Sequence, residues 1–402
     1  LVNFRKCLWV LWLLPITVFA QIDPYKRELI QIGYNASLEG HAPISAYAFY
    51  YDNRPGFLLH TNLTLRLAVA PVYLDSELGI SQALGDNTDL GIGLAGGGFA
   101  DSYAEIRQGK YYTHESFYGH GGQLSGSIYH LFNPGAQIPL NGVLRGFARF
   151  TTYDDSDSTA SDFEVPGDRG TLGVRTGLRW GGREPTLFPA LAMELSAWYE
   201  GEYRSDNGVY GFEDRSVEAD AHRFWAQALL VYTLPELKHS FELSLSAGSL
   251  FNPDRFSAYR LGAFLPLISE FPLSVPGYYY QELSARSFVL ISGNYILPLE
   301  SKLRWNLNLT AATALVDYVP GMAQPGNTHS GFGAGVLYRT GSFKTLVGYA
   351  YGVDAIRDGN RGAHSIGILV QLDWGQVRTE MFNSANPNMW RGFQRVFGIF
   401  GG

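Results

Sequence analysis

His329-Ser330 and His364-Ser365 each set a base beside a hydroxyl nucleophile. A hydrolase built on such groups needs the two side chains to touch. Both pairs fall in or beside segments of alternating hydrophobicity, where neighbouring residues point to opposite faces of a strand. Neither pair can then act through its own two side chains, and the G-x-S-x-G elbow is absent. His114, His120 and His130 are scattered and carry no metal-ligand spacing. Gly91-Ile92-Gly93-Leu94-Ala95-Gly96 matches G-x-G-x-x-G, but Gly97-Gly98-Phe99 is a poor start for the helix that a dinucleotide site requires. Glycines in strands more often mark a bend or a close approach. Asp154, Asp155 and Asp157, with Asp162 and Glu164, could gather oxygen ligands for a divalent cation, without the fixed EF-hand spacing. No cofactor is implied.

A second set of charges lies inside the alternating segments. Arg175 and Arg179, with Arg145, Arg149 and Arg304, are expected on a polar face, and so are Glu194, Glu200 and Glu242. Such residues are costly against lipid and tolerable in a polar lumen. In an open pore they would tune ion selectivity. In a closed barrel they would pair with one another.

The elements that must position these groups have a period of two. Leu172, Val174, Thr176, Leu178 and Trp180 alternate with Gly173, Arg175, Gly177 and Arg179. Leu63 to Ala70, Phe241 to Gly248 and Leu303 to Ala311 repeat the pattern. Ile368, Val370, Leu372 and Trp374 follow it too, although Leu369 breaks their polar side. Many segments run about ten residues, the length a tilted strand needs to cross a membrane. The 402 residues contain 14% aromatic and only 17% charged residues, with 47 Gly and 25 Tyr. Mean hydropathy is −0.06, too polar for a bundle of membrane helices.

These features predict an all-β fold, a transmembrane antiparallel β-barrel of about 16 strands (roughly 14–18) over residues 21–374. Short turns such as Leu299 to Lys302 are expected to face the periplasm. Tyr153 to Arg169, Tyr203 to Asp220 and Ala104 to Phe117 are expected outside.

Asn3-Phe4-Arg5-Lys6, an apolar run from Leu8 to Phe19 and Val18-Phe19-Ala20 read as a secretory signal peptide over residues 1–20, cleaved after Ala20. Cleavage would remove Cys7, the one cysteine, and with it disulfides and thiol chemistry. It would leave 28 basic against 37 acidic residues, a net charge of −9 that disfavours nucleic acid as a partner. About six residues separate the cleavage site from the first strand, so no periplasmic domain is expected ahead of the barrel. In the tail, residues 375–402, Trp390, Phe393, Val396, Phe397 and Phe400 recur at roughly helical spacing. That tail reads either as a short amphipathic helix or as a flexible end.

Leu261-Gly262-Ala263-Phe264-Leu265 leads to Val275-Pro276-Gly277-Tyr278, then to Glu282-Leu283 and a strand closing on Tyr295-Ile296-Leu297-Pro298-Leu299. This order resembles the C-terminal barrel region of the Omp85 superfamily, the bacterial surface antigen proteins, and the patatin-linked members most closely. In that family a long loop carrying V-R-G-Y or a similar motif folds back into the lumen. The glycine-rich stretch His329 to Thr340 and the stretch Gly341 to Tyr351 resemble the family's following strands. Ala363 to Trp374, with Gly367, Val370, Leu372 and Trp374, resembles its closing strand, which carries the assembly signal.

The resemblance spans roughly residues 261–374 and implies a sixteen-stranded outer-membrane barrel inserted by the cell's barrel-assembly machinery. It implies a role in protein or lipid assembly or translocation, served by a separate periplasmic partner. Pro276 stands where the family has its loop arginine, so the lumen salt bridge made by that arginine is not expected, and the family's periplasmic POTRA domains are not expected either. A porin for small polar solutes and an outer-membrane lipid hydrolase are the other functions weighed.

Overall fold

The computed structural model describes residues 22–383, except residue 24 and residues 183–190 and 266–270. Sixteen long strands follow one another: β1 (Arg27–Ser37), β2 (Ser45–Pro55), β3 (Leu63–Ala70), β4 (Tyr73–Ile80), β5 (Thr88–Gly97), β6 (Phe117–Leu131), β7 (Leu140–Asp155) and β8 (Arg169–Gly182). The second half comprises β9 (Ala192–Arg204), β10 (Asp220–Thr233), β11 (Ser240–Phe251), β12 (Leu283–Pro298), β13 (Trp305–Tyr318), β14 (Thr328–Arg339), β15 (Phe343–Arg357) and β16 (Asn360–Asp373).

Each strand pairs antiparallel with its neighbour in sequence. The ring closes where β16 returns to β1, from Leu29↔Asp373 to Ser37↔Ser365. Closure pairs the first and last strands, the two edges that an open sheet would leave bare. One short extra strand, Tyr259–Leu261, lies outside the ring and pairs with the start of β12.

The alternation in sequence becomes the two faces of the wall. Leu172, Leu178, Leu243, Ile291, Trp305 and Val347 point outward and are exposed, Leu172 to 65%. Arg175, Glu202 and Arg223 point inward, where ion pairs replace water as partners. An apolar outer face is what a hydrocarbon environment selects.

With sixteen strands, the start of β1 and the end of β16 lie at one end of the barrel. The connections after odd-numbered strands gather at the opposite, far end. Tyr153 to Arg169, Tyr203 to Asp220 and Ala104 to Phe117 share that far end, while Leu299 to Lys302 lies at the terminal end.

Trp374 does not extend β16 as its sequence spacing suggests; it opens helix α1 (Trp374–Asn383). The Asp373 carboxylate accepts a hydrogen bond from the Gln376 backbone N–H at 2.9 Å and so caps the first turn. The helix turns back onto β1, where Val377 is buried and Arg378 pairs with Glu28. The signal-peptide reading and the Trp390-to-Phe400 pattern lie outside the described residues.

Candidate functional site: the lumen loop and the capped mouth

The connection from β11 to β12, residues 252–282, is the longest at the far end, and it descends into the barrel. Its extra strand starts the descent, and the Ala263 N–H then bonds the Tyr279 carbonyl at 3.1 Å, folding the loop on itself. Phe264 and Leu265 pack with Leu337, Leu346, Ala350 and Leu369, which are inward-facing residues of β14, β15 and β16. This explains why Leu369, 1% exposed, interrupts a polar face. The lumen side is apolar where the loop covers it.

Val275 and Tyr278 join Leu283, Ala312, Ala314 and Ala363 in a second buried cluster. The wall beneath is cut from glycine. A Cβ on Gly331 would stand 2.0 Å from the Pro276 carbonyl oxygen, and one on Gly348 or Gly367 would stand 2.7–2.8 Å from the Phe264 ring. Gly277 has φ +85°, and a Cβ there would meet the Gly352 nitrogen at 1.9 Å. The glycine-rich β14 and the glycines of β15 and β16 thus form the floor on which the loop lies.

Two polar contacts lock the loop. The Tyr278 hydroxyl and His329 Nδ1 are 3.0 Å apart, and the Tyr318 hydroxyl meets Nε2 of the same ring. His329 is fully buried and Ser330 faces elsewhere, so this pair takes no part in nucleophilic chemistry. Arg357 of β15 donates to both carboxylate oxygens of Glu282, at 2.9 and 2.8 Å. Its guanidinium also stacks on Tyr279, 3.5 Å from the ring centre. Pro276 supplies no charge. A lumen ion pair forms all the same, with the cation on the wall and the anion on the loop.

Above the loop, four far-end connections meet. Tyr103 (98–116), Phe163 (156–168), Tyr210 and Val217 (205–219) and Phe256 of the lumen loop surround Phe117 in an aromatic cluster. Arg215, fully buried, pairs with Glu115 and lies 3.8 Å from Glu105. Arg255 reaches Glu105 at 3.3 Å, tying the lumen loop to the cap. Burial pushes the Tyr103 phenol well above its ordinary pKa. Gly109 packs against the Ile356 carbonyl, so the 98–116 connection crosses the whole mouth.

The candidate lumen charges are placed as follows. Arg175 stacks over Trp198, Trp225 and Phe271 at 4.8, 5.2 and 5.5 Å. Arg179 approaches Glu194 at 3.4 Å and lies over Trp198. Glu242 sits half-buried on the inward face of β11. Arg304 is elsewhere: it lies in the β12–β13 turn, half exposed, 3.3 Å from Glu300, because β13 starts one residue later. In the closing strand, Gly367 faces the loop, and Val370 and Leu372 belong to the outward face. Arg223 pairs with Glu200 and Glu202, and Arg149 lies 3.3 Å from Glu202.

The G-x-G-x-x-G stretch forms strand β5, with no helix after it. Its glycines clear a lane across the inner wall. Arg145 passes over Gly93 and Ser127 to reach Glu77 at 2.6 Å. Among the described residues no group of three or more acidic, histidine or cysteine side chains gathers to hold a metal. No serine hydroxyl among them bonds a histidine ring.

Sequence reading missed Glu282 and Arg357 as partners. They stand 75 residues apart, and no local spacing marks them as partners.

No family model and no curated protein matches the sequence. Solved structures do resemble the fold. CdiB from Acinetobacter baumannii superposes with a TM-score of 0.56 at 12% identity, over 87% of this chain and 60% of that one. CdiB from Escherichia coli gives 0.56 at 11% identity, over 87% and 64%. BamA from Haemophilus ducreyi lacking POTRA domains 1–3 gives 0.52 at 10% identity, over 86% and 70%. The chain thus spans about 60% of the length of the first of these. It shares their barrel fold.

Proposed function

We propose that this chain is an outer-membrane barrel that rests closed and assists protein or lipid assembly or translocation. The observation that carries this reading is the locked loop. A conduit for passive diffusion has no use for a glycine floor, an apolar interface and a buried ion pair that together hold Phe264, Val275, Tyr278 and Glu282 inside the lumen. A translocating or assembling barrel needs a closed resting state that can be opened. In this reading the far end is extracellular, the terminal end periplasmic, and the chain is exported by a signal cleaved after Ala20. Outer-membrane lipid, the barrel-assembly machinery and a periplasmic protein are its partners.

Planar-bilayer recording tests the proposal. Purified barrel should show rare, brief openings. A large, steady current permeable to small solutes would support the second reading, a porin. That reading draws on the charged row Arg145, Arg175, Glu200 and Arg223 across the inner wall. A lipid hydrolase is the weakest reading, and an absence of lipase activity in the purified protein would end it.

A further inference from the structure

The wall is not of even height. Strands β3 and β4 have eight residues each, against fifteen and sixteen in β6 and β7. Eight residues at about 3.4 Å each, tilted by about 40°, rise about 20 Å, less than the apolar band of about 25 Å around such barrels. The β3–β4 hairpin turns at Pro71-Val72, and β2 pairs with β3 only from Tyr50↔Val69 downward. Above that level β2 continues through Ser45–Phe49, held on one side by β1. Among the described residues no hydrogen bond from outside the β1–β2 ladder reaches the backbone of these five residues.

The opposite side of the notch is treated differently. There β6 also rises above β5, and the chain covers its edge with its own backbone. Asp101 N–H bonds the Gly119 carbonyl at 3.1 Å, and Tyr103 and Phe117 exchange two bonds at 3.0 and 3.1 Å. Among the described residues one flank is capped and the other is bare. At about 4.8 Å per strand, roughly 14 Å separates β2 from the capping segment, two strand positions wide.

We propose that the bare edge of β2, Ser45–Phe49, docks an extended segment of another polypeptide by strand addition. A row of unpaired N–H and C=O groups at strand spacing is matched by one chemistry, a second extended backbone. The flanking side chains suit it: Ala46 and Ala48 are small and outward, and Tyr47 and Phe49 face in as a stacked pair. The opening admits one strand or a hairpin and excludes the wall of a second barrel. The β1–β16 seam offers no such edge, being paired over nine residues. This inference needs only the strand registers and would hold in a conducting barrel as well as a closed one.

Hydrogen exchange read by mass spectrometry on the full chain in nanodiscs tests it, with the peptide Lys-Thr-Val-Thr-Val-Thr-Lys at 1 mM as probe. Without peptide, about half of the amides in residues 45–49 should exchange as fast as loop amides, while residues 50–54 are protected. Peptide should slow the fast set at least tenfold and leave residues 117–120 unchanged. An Ala48→Cys variant should form a disulfide with a cysteine-bearing copy of the peptide. Protection of residues 45–49 before peptide is added overturns the proposal, as does no slowing with it. Protection that grows with barrel concentration alone would put a second copy there and also overturn it.

Discussion

The guanidinium of Arg357, on the barrel wall, closes on the carboxylate of Glu282, on the lumen loop, through two contacts of 2.9 and 2.8 Å. Both side chains are buried, at 3% and 0% exposure. A fork-to-fork pair of this kind fixes orientation as well as position. It also fixes the loop to β15, one of the strands of the glycine floor.

Removing one partner should therefore be far worse than removing both. Arg357→Ala strands a buried carboxylate, at a cost of about 3–5 kcal/mol. Glu282→Gln should cost a comparable amount. The double variant Arg357→Met/Glu282→Leu should recover most of the loss, because apolar replacements of similar volume need no solvation. Thermal unfolding of the folded barrel in detergent reads all three. Equal midpoints for wild type and Arg357→Ala would remove the lock from the account.

The floor of the loop gives a second prediction. Gly348→Ala pushes a methyl to within 2.7 Å of Phe264, and overpacking of this kind costs about 1–3 kcal/mol. Phe264→Ala leaves a cavity and should cost about 3–5 kcal/mol. Since the two changes act on one contact, their combination should fall short of the sum by more than about 0.5 kcal/mol. Additive losses would mean that Phe264 does not lie on Gly348.

The same contacts show what the sequence made legible. Strand count, face assignment and the ends of the long connections follow from a period-two pattern, since every strand obeys it locally. Leu369 broke the pattern, and that break was the mark of the loop beneath it. The pairing of Arg357 with Glu282 has no local signature, because it depends on how far the loop descends. Arg304 misled for a different reason. Leu303 has φ +57° and belongs to a turn, so the alternation read through it begins only at Trp305. The bare edge of β2 was invisible as well, since edges are set by registers and not by residue types.

The cap over the mouth should be separable from the barrel. Arg215 is wholly buried among Glu115, Glu105 and the Phe163 ring, 5.0 Å away. Arg107 and Arg255 still reach Glu115 and Glu105, at 2.5 and 3.3 Å, so Arg215→Ala should cost about 1–3 kcal/mol in cap stability. The sixteen-strand ladder makes no use of Arg215, so the barrel should stay folded. Limited proteolysis of whole cells should then cut within residues 98–116 or 205–219, where the wild type resists. Unchanged resistance would show that the aromatic cluster alone holds the cap.

Gly93 decides between a nucleotide site and a lane for an ion pair. A Cβ there would stand 2.5 Å from the Ser125 hydroxyl and 3.4 Å from Arg145 Nη2. Gly93→Val must therefore displace the Ser125 hydroxyl, and its added methyls should crowd Arg145 away from Glu77, a pair now at 2.6 Å with side-chain exposures of 23% and 9%. The expected cost is about 1–3 kcal/mol, the range for overpacking in a filled interior. Arg145→Ala breaks the same pair from the other side. The double variant should cost little more than the worse single one, because the interaction can be lost only once. Calorimetry with ATP and NAD should show no binding to any of these forms. Binding to the wild type that Gly93→Val abolishes would restore the nucleotide reading and remove the structural one.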